Sequence, residues 1–98
     1  MAEKLYVTAK FAAKEDRVKA LVSVLENLAS RTRTETGCLD YGYYQSSGSP
    51  TVFTSFEIWE SVGAERAHWS TQHIKDALAQ LPELTDGEPE VTKYHKIA

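Results

Sequence analysis

Residues 52–60, "VFTSFEIWE", decide the fold, because they combine a strand pattern with apolar side chains on both faces. The side chains of a strand alternate between its two faces, which puts Phe53, Glu57 and Trp59 on one face. The opposite face carries further apolar residues, namely Val52, Phe56 and Ile58. A sheet strand that is apolar on both faces needs a covering layer on each side.

The segments before this strand predict an antiparallel sheet and one long helix. Alternating apolar residues over positions 5–11 predict a first strand. Over residues 15–32, apolar side chains recur at helical spacing, and Gly37 is the residue type that often follows a helix end. Residues 38–45, "CLDYGYYQ", and residues 51–60 flank the turn sequence "SSGSP" and therefore predict an antiparallel hairpin.

The C-terminal part of the chain predicts two shorter helices and a last strand. Ser61 and Thr71 are suitable N-caps, and His68 falls on the inward side of the first of these helices. Residues 90–97, "EVTKYHKI", predict the last strand. Three residues are expected to break the chain before that strand, namely Pro82, Gly87 and Pro89.

The order of strand, helix, strand, strand, helices and strand is the ferredoxin-like split βαβ arrangement of an α+β domain. We interpret residues 1–98 as a single domain of this class, with an antiparallel sheet that carries its helices on one face. The helices then leave the second apolar face uncovered. We predict that another copy of the sheet covers this face in a two-fold homodimer.

Composition and charge exclude several functional classes. The net charge is -3, and the scattered Lys and Arg residues form no basic patch, so we expect no nucleic-acid partner. No apolar run reaches the roughly 20 residues that span a bilayer, and no secretory signal is visible, which predicts a cytoplasmic protein without membrane contact. Cys38 has no second cysteine with which to pair, and no glycine-rich nucleotide motif is present.

Glu57 and His68 are the two candidate groups for proton transfer. A carboxylate on the Trp59 face should be partly buried, as a paired structural group or as a general base that also orients a histidine. An inward histidine is either a core residue or a proton carrier, since its ordinary pKa lies near neutrality. Trp59 itself either packs in the core or forms the wall of a slot for a flat ligand.

Further aromatic and apolar residues predict a small-molecule pocket beside these groups. Trp69 covers either the pocket or a dimer contact, whereas His73 lies on the flank of the next helix. His68 and His73 are separated by a helix break and have no carboxylate at matching spacing, so we predict no metal site. The predicted substrate-binding residues are Phe53, Trp69, His73, Ile74 and Leu78.

Three segments together resemble one known family. They are "ETGCLDYGYYQ", "FEIWES" and "AHWSTQHI", and their order and gaps resemble the antibiotic biosynthesis monooxygenase family. This resemblance implies a dimeric α+β barrel with a pocket between sheet and helices in each subunit. It also implies that dioxygen oxidises a phenolic or hydroquinone substrate, polycyclic ones included, to a quinone without a metal or organic cofactor.

The resemblance leaves other activities open. Relatives include haem-degrading enzymes, whose first-strand Asn is absent from "VTAKF" here, and an isomerase of a phosphorylated sugar. A small-molecule-binding or stress-associated dimeric module without turnover is a further alternative. For the oxygenase, we expect Trp59 to line the pocket, His68 to accept or relay the phenol proton and Glu57 to orient or polarise the site. His73 and Trp69 then lie at the rim.

Overall fold

The computed structural model describes residues 3–98, so the first two residues of the interpreted domain lie outside the described part. The sheet has four strands, β1 (Leu5–Ala12), β2 (Cys38–Gln45), β3 (Val52–Trp59) and β4 (Glu90–Tyr94). The strands pair in the order β2-β3-β1-β4, and each of these pairings is antiparallel. This is the ferredoxin-like α+β fold that the order of elements predicts.

The helices pack on one face of this sheet. A single 3₁₀ turn leads into α1 (Val18–Thr32), and α2 (Val62–His68) and α3 (Gln72–Leu84) follow β3. Both predicted caps are present, because Ser61 Oγ and Thr71 Oγ1 each accept a backbone N–H from three residues later, at 3.1 and 3.4 Å. Among residues 3–98, none of the helices combines the length and the apolarity needed to cross a bilayer.

The alternation of β3 separates two chemically different faces of the sheet. Phe53, Glu57 and Trp59 point toward the helices, on what we call the inner face, and all three are buried. The outer face points away from the helices and carries Tyr44 and Phe56, which are 59% and 53% exposed. Their rings form an edge-to-face pair with centroids 5.3 Å apart, so an aromatic patch lies open to solvent on the single chain.

Two elements differ from their predicted bounds. The sequence predicts a break at Pro82, but α3 continues through it to Leu84. The proline lies in the last turn, where its missing N–H removes only one helical hydrogen bond. β4 ends at Tyr94 instead of residue 97, because Tyr94 pairs with Tyr6 and β1 begins only one residue earlier.

The turn between α1 and β2 determines how closely α2 can approach. Gly37 has a φ of 86°, a left-handed conformation that favours glycine. A Cβ atom at this position would lie 2.6 Å from the Cβ atom of Ala64 in α2, so a side chain would force the helix away. The Gly37 carbonyl also accepts the N–H of Glu60 at 2.8 Å. These contacts hold Glu35, two residues earlier in the turn, close to the end of α2.

Candidate active site

A cavity of about 240 Å³ lies between the inner face and the helices. Much of its wall is apolar, with contributions from β1, α1 and α3 that include Leu25, Leu28, Ile74, Ala77 and Leu78. The polar residues on the wall are Tyr41, Tyr43, Glu57, His68 and Glu88. An apolar cavity with a few convergent polar groups is the usual form of a small-molecule site.

Glu57 is held on the cavity wall by two hydrogen bonds from its own strand. Ser55 Oγ donates to Glu57 Oε2 at 2.6 Å, and Trp59 Nε1 donates to Glu57 Oε1 at 3.0 Å. Burial raises the pKa of Glu57 above its ordinary value, and the two hydrogen bonds oppose this rise only in part. Because both oxygens are engaged, the geometry favours an orienting or polarising role over that of a mobile base.

Tyr41 and Tyr43 place two phenol hydroxyls on the same wall. Their oxygen atoms lie 2.8 Å apart in a hydrogen bond. Burial raises the pKa of both hydroxyls well above the ordinary value for tyrosine, so both are neutral at physiological pH. They can exchange hydrogen bonds with a ligand, but they cannot act there as phenolate bases.

His68 is the last residue of α2 and lies among aromatic rings. Its ring centroid is 5.0 Å from that of Trp59 and 5.6 Å from that of Tyr41, and the residue is 2% exposed. Its Nδ1 atom lies 2.7 Å from Glu35 Oε2. Since a carboxylate only accepts hydrogen bonds, this contact assigns a proton to Nδ1 and leaves Nε2 as the remaining basic atom of the ring.

Glu35 joins His68 to a second histidine. His73 Nε2 lies 2.6 Å from the same carboxylate oxygen, Oε2. The exposed fractions of the three side chains are 3% for His68, 11% for Glu35 and 18% for His73. Sequence reasoning missed Glu35 because it lies in a turn 33 residues before His68. Its one signal is its place in the "ETGC" segment that contributes to the family resemblance.

The same three side chains bring metal-ligating atoms together. One carboxylate oxygen and two imidazole nitrogens, from Glu35, His68 and His73, all lie within 4.8 Å of one another. The sequence predicts no metal site because no carboxylate stands at matching spacing beside the histidines. The turn before Gly37 supplies that carboxylate from a distant part of the chain, which spacing alone does not show.

The residues predicted to bind substrate divide into two groups. Those that line the cavity are Trp69, Ile74 and Leu78. Trp59 does not line it, because it is fully buried and packs edge-on against Tyr41 at a centroid distance of 6.1 Å. In the structure, Trp59 is instead a core residue that supports Glu57. Phe53 faces a separate groove beside α1, and His73 faces a groove between α1 and α3.

One side of the cavity is bounded by the start of β4 and the segment before it. The wall there consists of Glu88, Pro89 and Val91. Lys93 Nζ donates to Glu65 Oε1 at 3.1 Å, and Trp69 Nε1 donates to Glu65 Oε2 at 2.6 Å. Glu65 is only 2% exposed, so its paired carboxylate links α2 to β4 next to the cavity.

Comparison with known proteins relates this geometry to one family. The antibiotic biosynthesis monooxygenase family model matches residues 4–80. The Mycobacterium tuberculosis protein named "Putative monooxygenase Rv0793" is 31% identical over 84 residues, which cover 86% of this chain and 82% of the relative. The Synechocystis protein named "Uncharacterized protein sll1783" is 24% identical over 94 residues, which cover 96% of this chain but only 63% of the relative.

Solved structures share the fold over nearly the whole chain. The crystal structure of a conserved protein from Methanosarcina mazei Go1 has a TM-score of 0.93 and 32% identity, covering 97% of this chain and 94% of that one. The structure of Rv0793 from Mycobacterium tuberculosis has a TM-score of 0.92 and 28% identity, covering 98% and 97%. These matches show that the chain belongs to the antibiotic biosynthesis monooxygenase family, which supports a general monooxygenase-like role.

Proposed function

We propose that this chain is an oxidoreductase, a cofactor-independent monooxygenase that converts a phenolic or hydroquinone molecule to a quinone. The observation that carries the proposal is a histidine on the wall of an apolar cavity whose Nδ1 atom is engaged by a carboxylate. Nε2 of His68 is then the proton acceptor, and Glu35 stabilises the imidazolium that forms. Glu35 is a positioning residue in this scheme, because it acts through His68.

Removal of the phenol proton is the first step of the proposed reaction. Nε2 of His68 accepts this proton and leaves an electron-rich phenolate in a cavity whose wall is largely apolar. The neutral hydroxyls of Tyr41 and Tyr43 lie on the same wall, and because one of them donates to the other, the remaining O–H can donate a hydrogen bond to the phenolate oxygen. Glu57, fixed by its two hydrogen bonds, polarises the site from the sheet.

Electron transfer from the phenolate to dioxygen is the second step. One oxygen atom forms a bond to a ring carbon, which loses its hydrogen, and remains there as the new carbonyl oxygen. The other oxygen atom leaves as water with that hydrogen and the phenol hydrogen. The substrate supplies all the electrons that dioxygen accepts, so phenol and dioxygen become quinone and water without an external reductant.

The cavity volume limits the size of the proposed substrate. An apolar cavity of about 150 Å³ can hold benzene. The cavity of about 240 Å³ therefore accommodates one substituted ring together with dioxygen, whereas a polycyclic substrate would require the wall to move. None of the wall residues among positions 3–98 is Lys or Arg, which disfavours a phosphorylated ligand of the isomerase type.

The proposed active form is a cytoplasmic homodimer whose other partners are dioxygen and a small aromatic molecule. The outer face supports the dimer, because Tyr44 and Phe56 form an exposed aromatic patch there. Pairing this patch with its copy would remove apolar surface from water, at a gain of about 25 cal/mol per Å². A two-fold arrangement places the same patch on both subunits.

Oxygen consumption by chelator-treated protein tests the proposed reaction. With a panel of single-ring hydroquinones, the wild-type chain should consume dioxygen faster than the autoxidation blank. His68→Ala should lower the turnover number by about 10²–10⁴-fold, the usual effect of losing a general base. His95→Ala is the matched control, since His95 is exposed and does not line the cavity, and its turnover should equal that of wild type.

Two outcomes would contradict the proposal in different ways. If His68→Ala keeps its turnover and only melts at a lower temperature, His68 is a core residue and not the proton acceptor. If wild type binds the hydroquinones saturably but consumes no dioxygen above the blank, the chain is a binding module without turnover. Circular dichroism melting of each variant separates a lost reaction from a lost fold.

A further inference from the structure

We propose that Glu35, His68 and His73 form a binding site for one divalent transition-metal ion, with Zn²⁺ as the best chemical fit. The site offers one carboxylate oxygen and two imidazole nitrogens. Zn²⁺ binds such sets through three protein ligands and takes a water molecule as the fourth. The proposal rests on the geometry of these side chains and does not depend on the proposed oxygenase reaction.

Charge is the first argument for this site. The Glu35 side chain is only 11% exposed, and within residues 3–98 its ion-pair contacts are with the two histidines and not with Lys or Arg. A buried carboxylate is costly unless a cation or several hydrogen-bond donors compensate it. A divalent cation between the three side chains would compensate Glu35 without requiring a charge on either ring.

Distance is the second argument. Zn–N bonds of about 2.0–2.1 Å and Zn–O bonds of about 2.0–2.2 Å put tetrahedral ligand atoms roughly 3.3–3.5 Å apart. His68 Nδ1 and His73 Nε2 lie 2.7 and 2.6 Å from Glu35 Oε2, and the three ligand atoms lie within 4.8 Å of one another. An ion that replaces the two shared protons needs each N···O distance to widen by about 0.7 Å. Binding therefore requires rotations of the Glu35 and His73 side chains, which are less buried than His68.

The position of His73 provides an approach from solvent. Its side chain is 18% exposed and lines a groove of about 240 Å³ between α1 and α3. Asp76 lines the same groove together with Gln72 and Arg31. Gln72 Nε2 donates to Asp76 Oδ1 at 2.8 Å, which leaves the other Asp76 oxygen for an entering ion. His68 lines the inner cavity instead, so an ion held by both histidines would lie between the groove and the cavity.

Metal binding would change what His68 presents to the cavity. A neutral imidazole that binds a metal through Nδ1 carries its proton on Nε2. The cavity would then face an N–H donor instead of a basic nitrogen. Occupancy of the site is therefore expected to suppress any reaction that uses Nε2 of His68 as a proton acceptor.

Titration of the chelator-treated full chain with Zn²⁺ alone, followed by calorimetry, tests the site in the absence of substrate. Wild type should bind one ion per chain with a dissociation constant of about 1 μM or lower. His73→Ala should weaken binding by at least about 100-fold, since loss of an outer-shell partner alone costs about 10–100-fold. His95→Ala, which removes an exposed histidine, should bind Zn²⁺ like wild type.

Visible absorption with Co²⁺ in place of Zn²⁺ is the second readout. A tetrahedral site should give intense bands in wild type and in His95→Ala, and these bands should be lost in His73→Ala and Glu35→Gln. Circular dichroism melting shows whether each variant is folded. The proposal is overturned if wild type binds no Zn²⁺ saturably, or if His73→Ala binds it as tightly as wild type does.

Discussion

The two faces of β3 arise from the same eight residues but have opposite surroundings. On the inner face, the Glu57 carboxylate is buried and accepts a hydrogen bond from Trp59. On the outer face, the Phe56 ring is half exposed. The usual distribution is the reverse, because charged groups are mostly exposed and aromatic rings mostly buried.

This reversal indicates different roles for the two faces. A buried carboxylate costs free energy unless it is paired, so its presence on the inner face favours a chemical role beside the cavity. An exposed aromatic patch favours association, because contact with another apolar surface removes it from water. We therefore interpret the inner face as the chemical surface of the sheet and the outer face as its association surface.

Truncation of Trp59 should give the largest effect on stability. Trp59→Ala removes a fully buried ring and leaves Glu57 Oε1 without its donor, so we expect the free energy of unfolding to fall by about 3–5 kcal/mol. Phe56→Ala, on the outer face of the same strand, is the control and should cost about 1 kcal/mol in the single chain. Denaturant titration measures both. If both variants lose the same free energy of unfolding at every protein concentration, the proposed difference between the two faces is wrong.

A charge on the outer face should dissociate the proposed dimer. In a two-fold dimer, Phe56→Asp places one buried carboxylate from each subunit in the contact. If burying each carboxylate costs at least about 1.4 kcal/mol of binding free energy, the dimer dissociation constant rises at least about 100-fold. Light scattering over a dilution series measures this change. Val62→Asp is the matched control, since Val62 is 52% exposed on α2 and away from the outer face. A wild-type chain that is monomeric at micromolar concentration would refute the association role.

Neutralising the inner-face carboxylate should alter the pH dependence of stability. Burial raises the pKa of Glu57 above its ordinary value of 4.5, so the folded chain retains this proton where the unfolded chain has lost it. Stability therefore falls as pH rises from the ordinary pKa through the folded-state pKa, by about 1.4 kcal/mol for each tenfold change in the acid dissociation constant.

Glu57→Gln removes this titration and should gain stability relative to wild type as pH increases from about 4 to about 8. Chemical denaturation at a series of pH values measures the difference. Glu60→Gln, which neutralises an exposed carboxylate of the same segment, is the matched control. If the stability of Glu57→Gln depends on pH in the same way as that of wild type, the folded chain does not retain a proton on Glu57 above its ordinary pKa.

Reactivity of Cys38 tests whether the buried environment of the inner face extends to the start of β2. Cys38 packs beside Trp59 and Tyr41, and burial followed by the nearby Glu35 carboxylate raises the pKa of its thiol from 9.0 to about 11. At neutral pH, alkylation of the folded chain should be about 100-fold slower than alkylation of the chain unfolded in denaturant. Equal alkylation rates in the folded and the unfolded chain would show that Cys38 is not in the buried environment of the inner face.

The sequence predicts which face of the sheet each strand residue occupies, but not how completely the helices bury it. Period-two alternation correctly places Phe53, Glu57 and Trp59 on one face, and helical spacing within α2 correctly predicts that His68 points inward. Alternation carries no information on which inner residues the helices bury completely. Trp59 was therefore expected on the cavity wall, although it lies in the core.

Glu35 could not be predicted as a site residue for a different physical reason. It belongs to neither a helix nor a strand, so no periodicity assigns a direction to its side chain. Its contacts with His68 and His73 depend on how a turn packs against α2 and α3, across 33 and 38 residues. Such contacts follow from tertiary packing, which residue spacing along one element does not encode.

The absent side chain of Gly37 has a mechanical consequence for the histidines. Because the turn touches Ala64 without an intervening Cβ atom, the separation of Glu35 from His68 depends on van der Waals contact between two segments far apart in sequence. If α2 moves away from the turn, the His68 imidazole moves away from the Glu35 carboxylate. The orientation of the cavity histidine therefore depends on how closely α2 packs against the turn, so a local opening of α2 would release the ring without requiring the sheet to unfold.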